Sequence, residues 1–189
     1  MSRVGAIAAL VLLATASRAD AVSFSLTDKQ ILEAVDTGEK SLMRDTVGGE
    51  WRVRNAAGEA LTVMTPFHRL ALAARHAAFR NEPLKPRDRA RALKEQQDRL
   101  VFLVELKGGR DDFARFYRPR LHMGPREIEP SFTQNERTAA RGEDGKYLAH
   151  CIYGFPTKML SGTAKVVLVI RDGDGRDLTS FTVDLSSMR

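Results

Sequence analysis

The chain has 189 residues, 43% hydrophobic and 29% charged, with 30 Lys and Arg against 24 Asp and Glu. That length supports one good core or two small subdomains, and the formal charge of +6 favours anionic partners. The only cysteine, Cys151, excludes an internal disulfide, so packing alone must hold the fold.

The first residues read as a secretory signal peptide. Ser2 and Arg3 give a short positive start, Val4 to Ala14 is apolar, and small residues lead to Ala19-Asp20-Ala21. The apolar run is too short for a lasting anchor, which takes about 20 residues. Cleavage after Ala21 is expected, which removes Arg3, Arg18 and Asp20 and lowers the formal charge to +5 over residues 22–189. No cysteine stands at the cut, which argues against a lipid anchor. No later apolar run reaches spanning length. Asn55, Asn81 and Asn135 all lack Ser or Thr two positions on, so no N-glycosylation acceptor follows. A periplasmic or secreted protein is the expectation.

From Thr27 the period is helical. Thr27 with Gln30 makes a capping box, and Ile31, Leu32, Val35 and Leu42 recur at helical spacing. Gly38 costs about 1 kcal/mol against Ala in a helix interior, which predicts an end or a bend there. Trp51 and Val53, the turn at Asn55 to Gly58, and Leu61, Val63 and Met64 predict a small β-hairpin. Thr65 and Pro66 form the clearest start signal, an N-cap followed by proline at the first helical position. Phe67, Leu70, Ala71, Ala74 and Ala78 then share one face, until Asn81-Glu82-Pro83 ends the helix. Pro86 opens a thinly amphipathic surface helix to about Asp98, with Ala90, Leu93 and Leu100 as its apolar line.

From Leu100 the period becomes two. Leu100 to Leu106 predicts a buried strand, Lys107-Gly108-Gly109 a turn, and Phe113 to Met123 an extended mixed segment. Arg126 to Phe132 predicts a weaker strand, followed by a polar loop over Thr133 to Gly145. Tyr147, Ala149, Cys151, Tyr153 and Phe155 share one face of a regular strand. Lys165 to Arg171 is a further strand, Asp172-Gly173-Asp174-Gly175 a turn, and Thr179, Phe181, Val183 and Leu185 the core face of the last. Together these predict an α+β protein: a leader over 1–21, a helical region with a short hairpin over 22–99, and an antiparallel immunoglobulin-like β-sandwich over 100–189.

The chemical motifs are sparse. Asp172 to Asp177 resembles a calcium loop, but Phe181 stands where the acidic ligand six residues after the glycine should be, and Asp-Gly suits a tight hairpin turn. His68, His76, His122 and His150 lack zinc-ligand spacing, and are read as solvated. His150 and Cys151 point to opposite faces of one strand. There is no G-x-S-x-G and no Ser-x-x-Lys, and the Gly48-Gly49 and Gly108-Gly109 pairs are turns rather than phosphate loops. Asp111-Asp112 is an acidic pair in a loop, a distant candidate for general acid and base. No metal or cofactor is implied.

Two basic stretches remain. The one from Lys85 to Arg99 interleaves acids, the mark of a solvated helix face. Phe113 to Arg120 differs, because arginines stand beside aromatic rings with no acid after Asp112. Arg115, Tyr117, Arg118 and Arg120 therefore form the candidate polyanion surface. Export disfavours nucleic acid and leaves an anionic envelope glycan or lipid head group. The expected function is a non-enzymatic binding or interaction protein of the cell envelope. Alternatives are a secreted hydrolase with scattered Asp, Glu and His, and a structural subunit of an envelope complex.

Overall fold

The protein is described here by a computed structural model, covering residues 21–43, 48–95 and 97–189. The leader-like segment through Asp20 lies outside the described residues.

The first helix, α1 (Asp28–Lys40), starts on the expected capping box: the Thr27 side chain accepts from the Gln30 amide, and Gln30 Oε1 accepts from the Thr27 amide. It does not end at Gly38 but runs on to Lys40. A Cβ there would stand 2.1 Å from the Ala71 carbonyl oxygen. Glycine is thus the contact that lets α1 lie directly on α2 (Pro66–Phe79). Packing overrides propensity at that position. The hairpin β1 (Arg52–Arg54) and β2 (Ala60–Met64) turns on Gly58 at φ +74°. Thr65 caps α2 through the His68 amide, with Pro66 in the first turn, as expected. The third helix, α3 (Pro86–Lys94), ends four residues short of Asp98. It buries Ala92 and leaves Ala90 exposed.

The remaining strands are β3 (Arg99–Gly108), β4 (Arg118–Met123), β5 (Arg126–Ile128), β6 (Phe132–Gln134), β7 (Ala140–Arg141), β8 (Tyr147–Pro156), β9 (Lys165–Arg171) and β10 (Asp177–Asp184). They form two antiparallel sheets, one ordered β1-β2-β3-β8-β6 with β7 also on β8, the other β10-β9-β4-β5. Lettering β2 to β6 and β8 to β10 in chain order as A, B, C, C′, D, E, F and G gives A-B-E-D facing G-F-C-C′. That is the strand order of an immunoglobulin-type sandwich. The helical pair α2–α3 is an insertion between A and B.

Several local expectations change. The hairpin does not pack on the sandwich but belongs to it, because β2 pairs with β3 from Ala60↔Glu105 to Met64↔Val101. Arg126 to Phe132 is not one strand: β5 pairs with β4, then Glu129-Pro130-Ser131 crosses over and β6 pairs with β8. Two short strands interrupt the segment read as a polar loop. In β3 only Leu100, Phe102, Val104 and Leu106 are buried, while Leu103 on the other face is exposed. The apolar run is therefore half-buried, not enclosed on both faces. Phe113 to Tyr117 is a turn rather than extended chain, and β4 starts only at Arg118.

The core lies between the sheets. Ala149, Cys151, Tyr153 and Phe155 on β8 and the buried face of β3 meet Leu121, Leu168, Ile170, Phe181 and Val183. Phe102 and Phe155 pack edge to face with centroids 5.7 Å apart. Trp51, Phe67 and Leu70 carry the same core out to the helical end. No helix among the described residues is long and apolar enough to cross a membrane.

Candidate functional site

Arg115 and Tyr117 lie in the turn between β3 and β4, and Arg118 and Arg120 on β4 itself. Ala114 is buried in the turn, and Phe113 packs edge-on against Tyr117 at 5.8 Å. Tyr117 is half-buried, and burial raises the pKa of its hydroxyl, with the Glu59 carboxylate adding to the effect. Arg120 is held on the outer face of the second sheet by Glu127 at 3.1 Å and Glu129 at 3.2 Å. Of the three arginines, Arg115 and Arg118 are exposed without a carboxylate within 4 Å among the described residues. The Arg115 guanidinium lies 5.4 Å from the ring centre of Phe116, itself 69% exposed. The four residues do not converge: two are engaged and two face solvent.

The same sheet face gathers His122 with an acid. His122 Nε2 stands 3.4 Å from Glu127 Oε2 but is not aligned for a hydrogen bond and has no other partner. Glu127 already lies between the guanidinium groups of Arg120 and Arg171, at 3.1 and 3.2 Å. Both its oxygens are engaged on an open sheet surface, an unfavourable setting for a general base, which needs a free oxygen within reach of a held substrate.

The other reactive groups are enclosed or occupied. Burial pushes the Cys151 thiol up, so it holds its proton at neutral pH, the opposite of an activated nucleophile. Tyr153 donates to Asn135 Oδ1 at 2.9 Å, and burial raises the pKa of its hydroxyl far above the usual range. His68, read from the sequence as solvated, is 3% exposed, because Trp51 covers it. The Asp172 carboxylate accepts from the Asp174 and Arg176 amides and pairs with the Arg176 guanidinium, as a closed hairpin turn should. Among the described residues no group of three His, Cys, Asp or Glu side chains is placed to hold a metal ion.

A cleft of about 490 Å³ lies between α2 and α3. Leu72, Ala73, Leu84 and Ala92 contribute apolar surface, and Arg69, His76, Arg80 and Arg91 stand around it. An Arg69–Glu95 ion pair joins the start of α2 to the residue after α3, fixing the helices antiparallel. Arg91 pairs with Asp88 at 3.2 Å and Lys85 with Glu82 at 3.9 Å. These three pairs consume three of the four acids in the layer.

The cations outnumber them. Residues 66–98 hold eight Lys and Arg against four Asp and Glu, a surplus of +4 within the +5 of residues 22–189. Arg75, Arg80, Arg87, Arg89 and Lys94 have no carboxylate within 4 Å among the described residues, and Arg80, Arg87 and Lys94 are exposed. Beside them Phe79 ends α2 with 79% of its surface exposed. Sequence reading set this stretch aside because acids are interleaved along it. A count of charge by segment would have found it, whereas the pairing needs the fold. Comparison with protein-family models, with curated proteins and with solved structures finds no match to this chain.

Proposed function

We propose that the chain is an exported, non-enzymatic binding protein of the cell envelope that engages an anionic glycan or lipid head group through the α2–α3 layer. The observation that carries this reading is the concentration of +4 of the +5 formal charge of residues 22–189 on that layer, with five cations left unpaired by carboxylates among the described residues. Unpaired, clustered cations attract polyanions and steer them over several ångströms, whereas paired ones largely cancel. The exposed Phe79 beside Arg80 adds an aromatic surface for a sugar ring or a lipid interface. The compartment rests on the leader-like N-terminal pattern, and it is why nucleic acid is disfavoured.

The test is salt-dependent retention on immobilised heparin and on lipopolysaccharide. The triple variant Arg80→Ser, Arg87→Ser, Arg89→Ser should elute at clearly lower salt than the native protein. Native-like elution would remove the α2–α3 layer as the contact. Arg115→Ala with Arg118→Ala tests the loop-end alternative, which the exposed Arg115–Phe116 pair favours. If only that pair shifts elution, the anionic partner binds at the loops instead.

A role as a subunit of an envelope complex draws on another surface. Leu103 and Phe132, 37% and 39% exposed, stand on the outer face of the first sheet. Leu103→Lys should leave heparin retention intact and abolish any such association, measured by sedimentation.

A further inference from the structure

The nitrogen of Val22 sits where a peptide nitrogen is poorly served. It lies 3.2 Å from the Gly162 carbonyl oxygen and 3.2 Å from the Leu185 carbonyl oxygen, so its single amide hydrogen is shared between two acceptors. A shared hydrogen gives two weak bonds in place of one good one. The Val22 side chain is buried in the core beneath. The slot is shaped for this backbone: a Cβ on Gly162 would stand 1.8 Å from the Val22 carbonyl oxygen. Leu185 begins the short turn of helix after β10, and its own amide donates to Ala164, so the seat joins the lead-in to β9 with the end of β10. Val22 is also the residue that the Ala19-Asp20-Ala21 pattern makes first after cleavage. Two independent observations, one from the leader pattern and one from packing, meet at the same bond.

We propose that hydrolysis of the Ala21–Val22 bond by a leader peptidase completes the fold, turning Val22 into an N-terminal ammonium seated on the Gly162 and Leu185 carbonyls. In the cleavage the water's oxygen joins the Ala21 carbonyl carbon as a carboxylate. The Val22 nitrogen leaves with both of the water's protons, as –NH3+. It then carries three hydrogens, enough to give each carbonyl its own bond, and the charge strengthens both. The third hydrogen points towards the place that Ala21 vacates, and Ala21 is only half-buried, so solvent reaches it. The inference goes beyond the proposed ligand binding and depends on it only for export. Heparin retention is expected to be unchanged by anything done at this seat.

The experiment expresses the full chain in a bacterial host with a periplasm and measures the intact mass of the exported form. A mass starting at Val22 is expected; any other start overturns the proposal. A second full-length variant inserts one Ala between Ala21 and Val22, so that the same cleavage leaves the ammonium one residue away from the seat. Its melting temperature should fall by roughly 3–8 °C, with an unchanged circular dichroism spectrum. An equal melting temperature would show that the seat needs only a peptide nitrogen, and would overturn it. Should the insertion fold poorly, N-terminal acetylation of the exported native protein removes the charge without added chain, and the same loss of melting temperature is expected.

Discussion

The rings of Trp51 and His68 stack face to face, with centroids 4.1 Å apart and planes 7° from parallel. The stack sits where the sandwich core meets the helices, and Trp51 also donates from Nε1 to the Arg189 carbonyl at 2.9 Å. Arg189 in turn lays its guanidinium 4.8 Å from the centre of the Phe67 ring and pairs with Glu50 and Glu33. One residue thereby ties α1, the segment before β1 and the start of α2. His68 Nδ1 lies 2.9 Å from the Val63 carbonyl, which requires the hydrogen on Nδ1 and leaves Nε2 bare in the neutral ring.

That geometry makes His68 a source of acid sensitivity. Burial lowers its pKa below the ordinary 6.5, outweighing the raising influence of the Val63 carbonyl and of Glu50. In the unfolded chain the ring takes up a proton near 6.5, while in the folded protein it resists. The unfolded state therefore binds more protons below that point, and stability falls as pH drops through it. The slope for one such group is at most about 1.4 kcal/mol per pH unit. The melting temperature of the native protein should decline from pH 7.5 to 5.5. His68→Gln should start lower but show a flatter profile over that window. Parallel profiles would assign the sensitivity to another group.

A second prediction concerns the α1–α2 contact. Gly38→Ala would gain about 1 kcal/mol of helix propensity on an exposed surface. Here the new methyl would meet backbone, at 2.1 Å from the Ala71 oxygen, and the Ala74 methyl at 2.8 Å. Neither can swing aside, so overpacking of about 1–3 kcal/mol wins. Urea denaturation should show a net loss of stability; a gain would mean that the helices separate at no cost.

A buried polar link between the two sheets is the Glu59 carboxylate, 7% exposed. It accepts from Asn55 Nδ2 at 2.8 Å, Thr179 Oγ1 at 2.6 Å and the Lys107 amide at 3.2 Å. Thr179 lies on the same face of β10 as Phe181 and Val183, as expected, and at the edge of the core it serves this network. Glu59→Ala takes the acceptor from Thr179 Oγ1 and the Lys107 amide and leaves Asn55 Nδ2 only Thr179 Oγ1, costing about 1–3 kcal/mol. Glu59→Gln keeps one oxygen and should cost less. Thr179→Val measured alone and with Glu59→Ala should be less than additive, since both changes break one bond. Full additivity would show that the Thr179 bond is not made.

These residues also mark where sequence reading stops. Caps such as Thr27 with Gln30 and Thr65 with Pro66 were legible because each is a contact within one turn. The alternation along β8 was legible because burial on one face writes itself at period two. The pairing of β2 with β3 was not, because the whole α2–α3 insertion separates them and nothing local specifies that register. Arg120 and Arg115 look alike in sequence, yet Glu127 and Glu129 reach only the first. A charge is legible in a sequence; its partner is a property of the fold.

The Asp172 turn gives the last prediction. Its carboxyl is held below the usual range chiefly by the Arg176 amide, which with the Arg176 guanidinium and the Asp174 amide outweighs the opposing effect of desolvation. The oxygens that resemble calcium ligands are thus already spent on two amides and one guanidinium, with Gly175 at φ +87° closing the turn. Calcium would have to displace Arg176 and find further oxygens that this hairpin does not gather. Millimolar calcium should therefore leave the melting temperature unchanged, since a ligand that binds the folded state raises it. A rise would restore the metal reading. Because the folded pKa is depressed, the stabilisation from Asp172 is present above the ordinary aspartate value and is lost as pH falls through the lowered one. Asp172→Asn should consequently destabilise the protein at neutral pH and lose that effect in strong acid, where the native carboxyl is itself protonated.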